Sequence, residues 1–257
     1  MVSLCNGWEF VREWFGGFVF GEGSGEPVRI PHTVQEMPLH YSDHEAYQTI
    51  CGYRRRLDIG PDLEGKRLFL QFDGAAHIAT VYLNGQELTT HRTGYTGFRV
   101  EITGAVAYGG ENLVAVKLDT RENPEIPPFG FVIDYLTYGG LYREVWLDAK
   151  EQRYIEDVYV TTPSLNQLRL QVTAVNADNC ICLTELIDDG GKTVLSQSGP
   201  ATAGPIWLVY PKAKPWSLED PCRYTCRVSL LLLLPGIWFV KLQLQQRRLV
   251  LHTMWAI

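Results

Sequence analysis

The sequence has no apolar run near the ~20 residues a membrane-crossing helix takes, so no helical span is expected. Met1 to Phe10 carries neither a basic stretch nor an apolar core, so no signal peptide is read and a cytoplasmic location is expected. Long basic runs are also missing. Lys and Arg number 23 against 29 Asp and Glu, a formal net charge of -6, and this excess disfavours nucleic acid or an anionic membrane as partner. The densest cationic cluster, Arg54-Arg55-Arg56, sits in a strand pattern and is expected to form a surface ladder. Six cysteines in 257 residues are too few for a disulfide scaffold. Neither Cys180-x-Cys182 nor Cys222-x-x-x-Cys226 has the usual zinc spacing, and strand alternation puts Cys180 and Cys182 on one face as buried thiols. No metal and no cofactor is expected. There is no Gly-x-Ser-x-Gly for His32 to serve, so His32 is read as a turn histidine.

What is present is globular and turn-rich. A hydrophobic fraction of 46% beside 20% charged residues excludes wholesale disorder. Helical periodicity is nearly absent, while strand-like runs bounded by Gly, Asn, Asp or Pro recur: 67–72, 77–83, 112–118 and 144–147. Asn84-Gly85 between two such runs predicts a type I′ hairpin, because both central residues of that turn need positive φ. The class expected is all-β, with a β-sandwich over 1–150. A second set of strands begins at Tyr154 and predicts a smaller sandwich of immunoglobulin-like form over 151–230.

Several segments taken in order resemble one family. They are Leu4-Cys5-Asn6-Gly7-Trp8-Glu9-Phe10, Val28-Arg29-Ile30-Pro31-His32-Thr33, Cys51-Gly52-Tyr53-Arg54-Arg55 and Val81-Tyr82-Leu83-Asn84-Gly85. Then come His91-Arg92-Thr93-Gly94-Tyr95-Thr96-Gly97-Phe98, Asn112 to Asp119, and Thr137-Tyr138-Gly139-Gly140-Leu141-Tyr142-Arg143-Glu144-Val145-Trp146-Leu147. This series is similar to the N-terminal region of glycoside hydrolase family 2, the β-galactosidases, β-glucuronidases and β-mannosidases. Tyr154 to Val160 and Lys214 to Pro221 resemble the family's following immunoglobulin-like domain. The resemblance covers about 4–226 and implies a jelly-roll sugar-binding domain at 1–150. Ile126-Pro127-Pro128-Phe129-Gly130 and Tyr138-Gly139-Gly140 look most like bacterial β-galactosidase-like members.

Glycoside hydrolysis needs two carboxylates flanking the scissile bond. In this family they stand on a TIM barrel, which takes about 250 residues. That length does not remain after Cys226, so no catalytic residue is assigned. The stretch 231–257 is read as a divergent tail. Its start, within the leucines Leu230 to Leu234, does not alternate, and a changed reading frame or truncated product is favoured over a divergent last strand.

The resemblance gives one substrate-binding residue, Asp134. In β-galactosidases of the family an aspartate at that position reaches from the sandwich to the sugar. The plainer alternative is a loop aspartate capping nearby backbone N–H groups. His40, Ser42 and Asp43 lie where the family supplies a second polar contact, with ordinary loop polarity as the alternative. Trp8, Trp146 and Trp216 are read as core aromatics. The implied function is the non-catalytic N-terminal part of a family 2 glycosidase. It would have a β-linked carbohydrate as substrate, the missing barrel as partner, and subunit contacts in a homo-oligomer. A free-standing carbohydrate-binding module and a structural protein without sugar affinity remain the competing readings.

Overall fold

The computed structural model describes residues 1–36, 40, 43–127, 138–232 and 242–251. They form two compact units, Met1–Lys150 and Glu151–Ile257. The first holds β1 (Val2–Ser3), β2 (Trp8–Val11), β3 (Glu26–Val28), β4 (Ile50–Ile59), β5 (Arg67–Phe72), β6 (Ile78–Leu83), β7 (Gln86–His91), β8 (Phe98–Glu101), β9 (Gly110–Asp119) and β10 (Val145–Lys150). One sheet runs β3-β2-β4-β9-β6-β7 and the other β1-β10-β5-β8.

Alternation explains why these segments are strands. In β6, Ala79, Val81 and Leu83 are fully buried while Ile78, Thr80 and Tyr82 are not. In the second sheet β5 supplies Leu68, Leu70 and Phe72, and β10 supplies Val145 and Leu147. These residues join the inner faces of β4, β9 and β6 in one core, as two inner faces of a sandwich do. The Asn84-Gly85 turn forms as its residues predict, with φ of 52° and 83°. The Asn84 side chain also ties the hairpin to β9. Its Oδ1 accepts from the Leu113 amide at 2.8 Å and its Nδ2 donates to the buried Asn112 at 2.8 Å.

The arginine cluster differs from the expected surface ladder. Arg56 is exposed and pairs with Glu111. Arg55 is half-buried and donates to the Leu4 carbonyl at 2.8 Å. Arg54 is buried. It donates to Glu9 Oε2 through Nε at 3.0 Å and Nη2 at 2.7 Å, and to the carbonyls of Glu22 and Gly23 at 2.8 Å each. The Phe18 ring lies 4.3 Å from its guanidinium carbon. The segment between β2 and β3 therefore folds back over the outer face of the sheet, with Arg54 as its peg. The Trp14 ring lies over Gly52, where a Cβ would meet it at 2.8 Å, and stacks on Tyr82.

The second unit holds β11 (Tyr154–Ser164), β12 (Gln167–Val175), β13 (Cys180–Ile187), β14 (Thr193–Pro200), β15 (Ile206–Val209), β16 (Tyr224–Leu232) and β17 (Leu242–Leu251). Its sheets run β11-β12-β15 and β14-β13-β16-β17. Cys180, Cys182 and Cys226 lie in the core between them. Burial pushes the Cys182 thiol up to about 11 and the Cys226 thiol up as well, so both stay protonated at neutral pH. Leu230, Leu231 and Leu232 belong to β16, and Val228 through Leu231 are all buried. A register shift against β17 falls between Leu230 and Leu231, and such a bulge lets neighbouring residues both turn inward. The expected tail boundary at 230/231 thus falls within a strand.

The two outer arginines of the cluster give a contrast in stability. Arg54→Leu strands the Glu22 and Gly23 carbonyls and loosens the fold-back segment. Glu9 is partly solvated, so its lost ion pair adds little, and a cost of about 2 kcal/mol is expected. Arg56→Leu, on an exposed pair, is expected to cost under about 0.5 kcal/mol. Urea unfolding of the two variants checks the difference, and equal losses would rule out the peg role.

Candidate functional site

One end of the six-stranded sheet lies beside the chain segments that lead into the stretches singled out in the sequence. There the ladder closes on the row Ile50, Asp119 and Ile78, from β4, β9 and β6. Just beyond it lie Thr49, Thr120 and His77. Two loops leave from this end. One, past Gln35, holds His40, Ser42 and Asp43; the other, past Pro127, holds Asp134. Asp134 and Ser42 lie outside the described residues. His40 is exposed, and Asp43 accepts from the Glu45 amide at 3.0 Å as the cap of a short turn.

The loop bases are bound to each other. Thr120 Oγ1 donates to the Tyr47 carbonyl at 2.6 Å and accepts from the Thr49 amide at 3.0 Å. The Val34 amide donates to the Gly139 carbonyl at 3.2 Å, and the His32 amide to the Leu141 carbonyl at 2.8 Å. Arg12 Nη2 donates to the Ala46 carbonyl at 2.6 Å. Ala76 and Gly140 exchange two backbone bonds of 3.0 Å each. The Tyr47 and Tyr138 rings meet edge to face at 6.1 Å.

Gly139-Gly140 is what lets the second loop enter here. Both have positive φ, at 60° and 121°. A Cβ on Gly139 would come within 2.7 Å of the Thr120 side chain, and one on Gly140 within 2.5 Å of the His32 carbonyl. Only a backbone without side chains passes between these two walls.

Electrostatically the rim is muted. The Asp119 carboxylate is pushed up by burial, but its bonds from Arg121 outweigh this and hold it below its ordinary value. Arg121 donates to it from Nε at 2.9 Å and from Nη2 at 2.6 Å. His32 shares a 2.8 Å hydrogen bond with the Tyr53 hydroxyl, and burial lowers its pKa against the pull of Glu26 and Glu36. His77 is 3% exposed, its pKa is lowered by burial against the opposing charge of Asp119, and its Nε2 is buried without a partner among the described residues. Among the described residues the Tyr47 hydroxyl is also buried without a partner. Imidazole and phenol can each donate and accept, which suits hydrogen bonding to hydroxyl groups.

The sequence reading missed Tyr47, His77, Thr120 and Arg12. Thr120 stands next to the matched 112–119 segment, and His77 opens a strand run. Only the three-dimensional approach of loops about 70 residues apart gives them a role. Among the described residues no three His, Cys, Asp or Glu side chains converge to hold a metal ion. No helix among them is long and apolar enough to cross a membrane.

His32, half-buried, and His77, buried, make stability pH-dependent with a definite sign. Each is depressed in the folded state, so the unfolded chain takes up protons first as the pH drops. The contribution is fully present above about 6.5 and is lost progressively below it, down to the lowered folded values. The melting temperature is expected to fall between about pH 7 and pH 5, and to fall less in His77→Gln. A His77→Gln profile parallel to the parent's would assign the loss to other groups.

Comparison with known proteins follows this geometry. Residues 38–126 match the family model described as Glycosyl hydrolase 2 galactose-binding domain-like, which takes in the first loop and ends at the base of the second. A β-galactosidase of Thermoanaerobacter pseudethanolicus is 36% identical over 181 residues, covering 68% of this chain and 24% of the relative. A β-galactosidase of Thermoanaerobacterium thermosulfurigenes is 31% identical over 248 residues, covering 90% of this chain and 35% of the relative. Among solved structures, a putative β-galactosidase from Bacteroides fragilis superposes with a TM-score of 0.77 at 26% identity, over 97% of this chain and 40% of that one. A Bifidobacterium dentium β-glucuronidase complexed with coumarin-3-O-glucuronide shares the fold, with a TM-score of 0.84 at 22% identity, over 98% of this chain and 48% of that one. The chain thus spans between a quarter and about a third of the two curated relatives, 24% and 35%. With motifs, fold and relatives in agreement, the chain belongs to glycoside hydrolase family 2 and corresponds to the N-terminal part of its members.

Proposed function

We propose that the chain serves as the non-catalytic N-terminal part of a β-galactosidase-like glycosidase, one hydrolysing a terminal β-linked sugar with retention through a covalent glycosyl-enzyme. Residues 1–150 are the jelly-roll sugar-binding domain, and the immunoglobulin-like sandwich begins at 151 and runs past the expected boundary at 230/231, since β16 and β17 belong to its four-stranded sheet. A catalytic TIM barrel, which the family resemblance implies, is the partner and supplies both carboxylates. The same resemblance extends to subunit contacts in a homo-oligomer.

The observation that carries this reading is the rim. The loop of Asp134 and the loop of His40 and Asp43 leave the same end of one sheet, tied at their bases through Thr120, Gly139 and Tyr138. A rigid scaffold presenting two joined loops is the usual support for a binding contact. Asp134 is assigned to accept hydrogen bonds from sugar hydroxyls. A free-standing module has less support, because the relatives carry this region as a fraction of a longer chain. All six cysteines are unpaired, which supports a reducing, cytoplasmic setting.

The chain alone is expected to leave nitrophenyl β-galactoside, β-glucuronide and β-mannoside unhydrolysed. Rebuilt with the downstream part of a related β-galactosidase, it should support turnover. In that chimera Asp134→Asn is expected to cost about 1.5–3 kcal/mol in kcat/KM, the worth of a charge-assisted hydrogen bond. The melting temperature of the isolated chain should hardly move. Destabilisation of the isolated chain with full activity in the chimera would make Asp134 a structural loop residue.

A further inference from the structure

One face of the second unit departs from the usual division of a sandwich. The sheet β11-β12-β15 turns Val158, Leu168, Leu170 and Leu208 into the core. Its other face looks to water, where an antiparallel sheet ordinarily carries polar residues. Three large apolar side chains stand there nonetheless: Tyr159 at 60% exposed, Trp207 at 48% and Val209 at 52%. The ladder fixes their neighbours. Tyr159 pairs with Gln171, Trp207 with Arg169 and Val209 with Gln167, while Asp157 pairs with Thr173.

The charges on this face have a symmetry. Asp157 comes two residues before Tyr159 on β11, and Arg169 two residues before Gln171 on the antiparallel β12. Asp157 and Arg169 therefore stand at equal distances on opposite sides of the Tyr159–Gln171 pair. Among the described residues the ion pairs of this unit are Lys214–Asp220, Arg223–Asp189 and Arg227–Glu185, which leave both charges unpaired. An anion and a cation placed evenly about an aromatic centre make the face complementary to itself. A twofold axis across the strands at Tyr159 and Gln171 lays the Arg169 of each copy over the Asp157 of the other and brings the two Tyr159 rings together. Such a contact is isologous, the commonest kind between identical chains. The edges of the sheet offer less. β11 has two register shifts and Pro163, and β15 has only four residues. Bulges, proline and shortness are what keep an edge strand from pairing with another chain.

We propose that the outer face of β11-β12-β15 is a contact between two copies of this chain, with Arg169 and Asp157 paired across a twofold axis. This gives the homo-oligomer of the function proposed above a specific face and rests on that part of the reading. It uses neither Asp134 nor the glycosidase assignment, which turnover in the chimera tests separately. The face is three strands wide and nine residues long at β12, on the order of 400 Å² for each copy at ordinary strand spacings. A standard interface takes about 800 Å² from each partner, so the dimer is weak and reversible, with a Kd on the order of 100 µM.

The test is sedimentation velocity of the full chain from about 5 µM to about 1 mM, where a monomer–dimer equilibrium is expected. Arg169→Asp and Asp157→Arg, each alone, should weaken the dimer about tenfold or more at low salt, because like charges then meet across the axis. The two together exchange the charges and should restore the parent Kd to within about threefold. Tyr159→Ser should weaken the dimer as well. All three positions are exposed or half-exposed, so the melting temperatures should hardly move. The proposal is overturned if the chain stays monomeric throughout. It is overturned equally by a dimer that neither single reversal weakens, which forms through another face, and by a charge exchange that fails to restore the dimer. A chimera that stays monomeric where the chain alone dimerises would give the face to the downstream part of the enzyme, and would also overturn it.

Discussion

Tyr53, Val116 and Val81 stand side by side on β4, β9 and β6, and all three are fully buried. That row, with Cys51, Leu118 and Ala79 beside it, fixes the register of the three central strands. A slip of one residue would turn every one of these side chains to the opposite face. It would also move Ile50, Asp119 and Ile78, the row from which the rim begins. The rim is therefore a consequence of core registry. Tyr53 serves both, its ring in the core and its hydroxyl on His32.

Two further constraints turn the sandwich into a scaffold for loops. Arg54 gathers Glu9, Glu22, Gly23 and Phe18, which fastens the fold-back segment over one sheet face. Gly139-Gly140 admits a second strand of backbone between His32 and Thr120. The first constraint is a desolvated cation whose hydrogen bonds are all supplied by the protein. The second is a pure volume condition. Neither depends on the residues at the loop tips, so those tips are free to vary in chemistry while their origin stays fixed.

Much of this was legible in the sequence for a simple reason. Alternation in 78–83 and the Asn84-Gly85 turn are local, and local rules describe them. The Gly139-Gly140 pair was legible as part of a family motif, but the two walls that require it are distant in sequence. Arg54 was misread because its partners lie 31 to 45 residues away, and nothing in Arg-Arg-Arg says which one turns inward. The leucines of β16 break strict alternation, and part of that break falls at the register shift between Leu230 and Leu231, which no local pattern announces. Tyr47 Oη and His77 Nε2, unpartnered among the described residues, have no sequence signal at all. Satisfaction of a polar atom is a property of the surroundings and not of the residue.

The rim's chemistry also bears on what it lacks. Breaking a glycosidic bond needs one carboxyl group that holds a proton and another that does not, both facing the sugar. At the described rim the Asp119 carboxylate is taken up by Arg121, which holds it ionised, and no second carboxylate stands opposite it among the residues tied at the loop bases. Burial lowers the pKa of both imidazoles there. The same burial that packs these histidines against the loop bases is what makes the fold lose stability in acid.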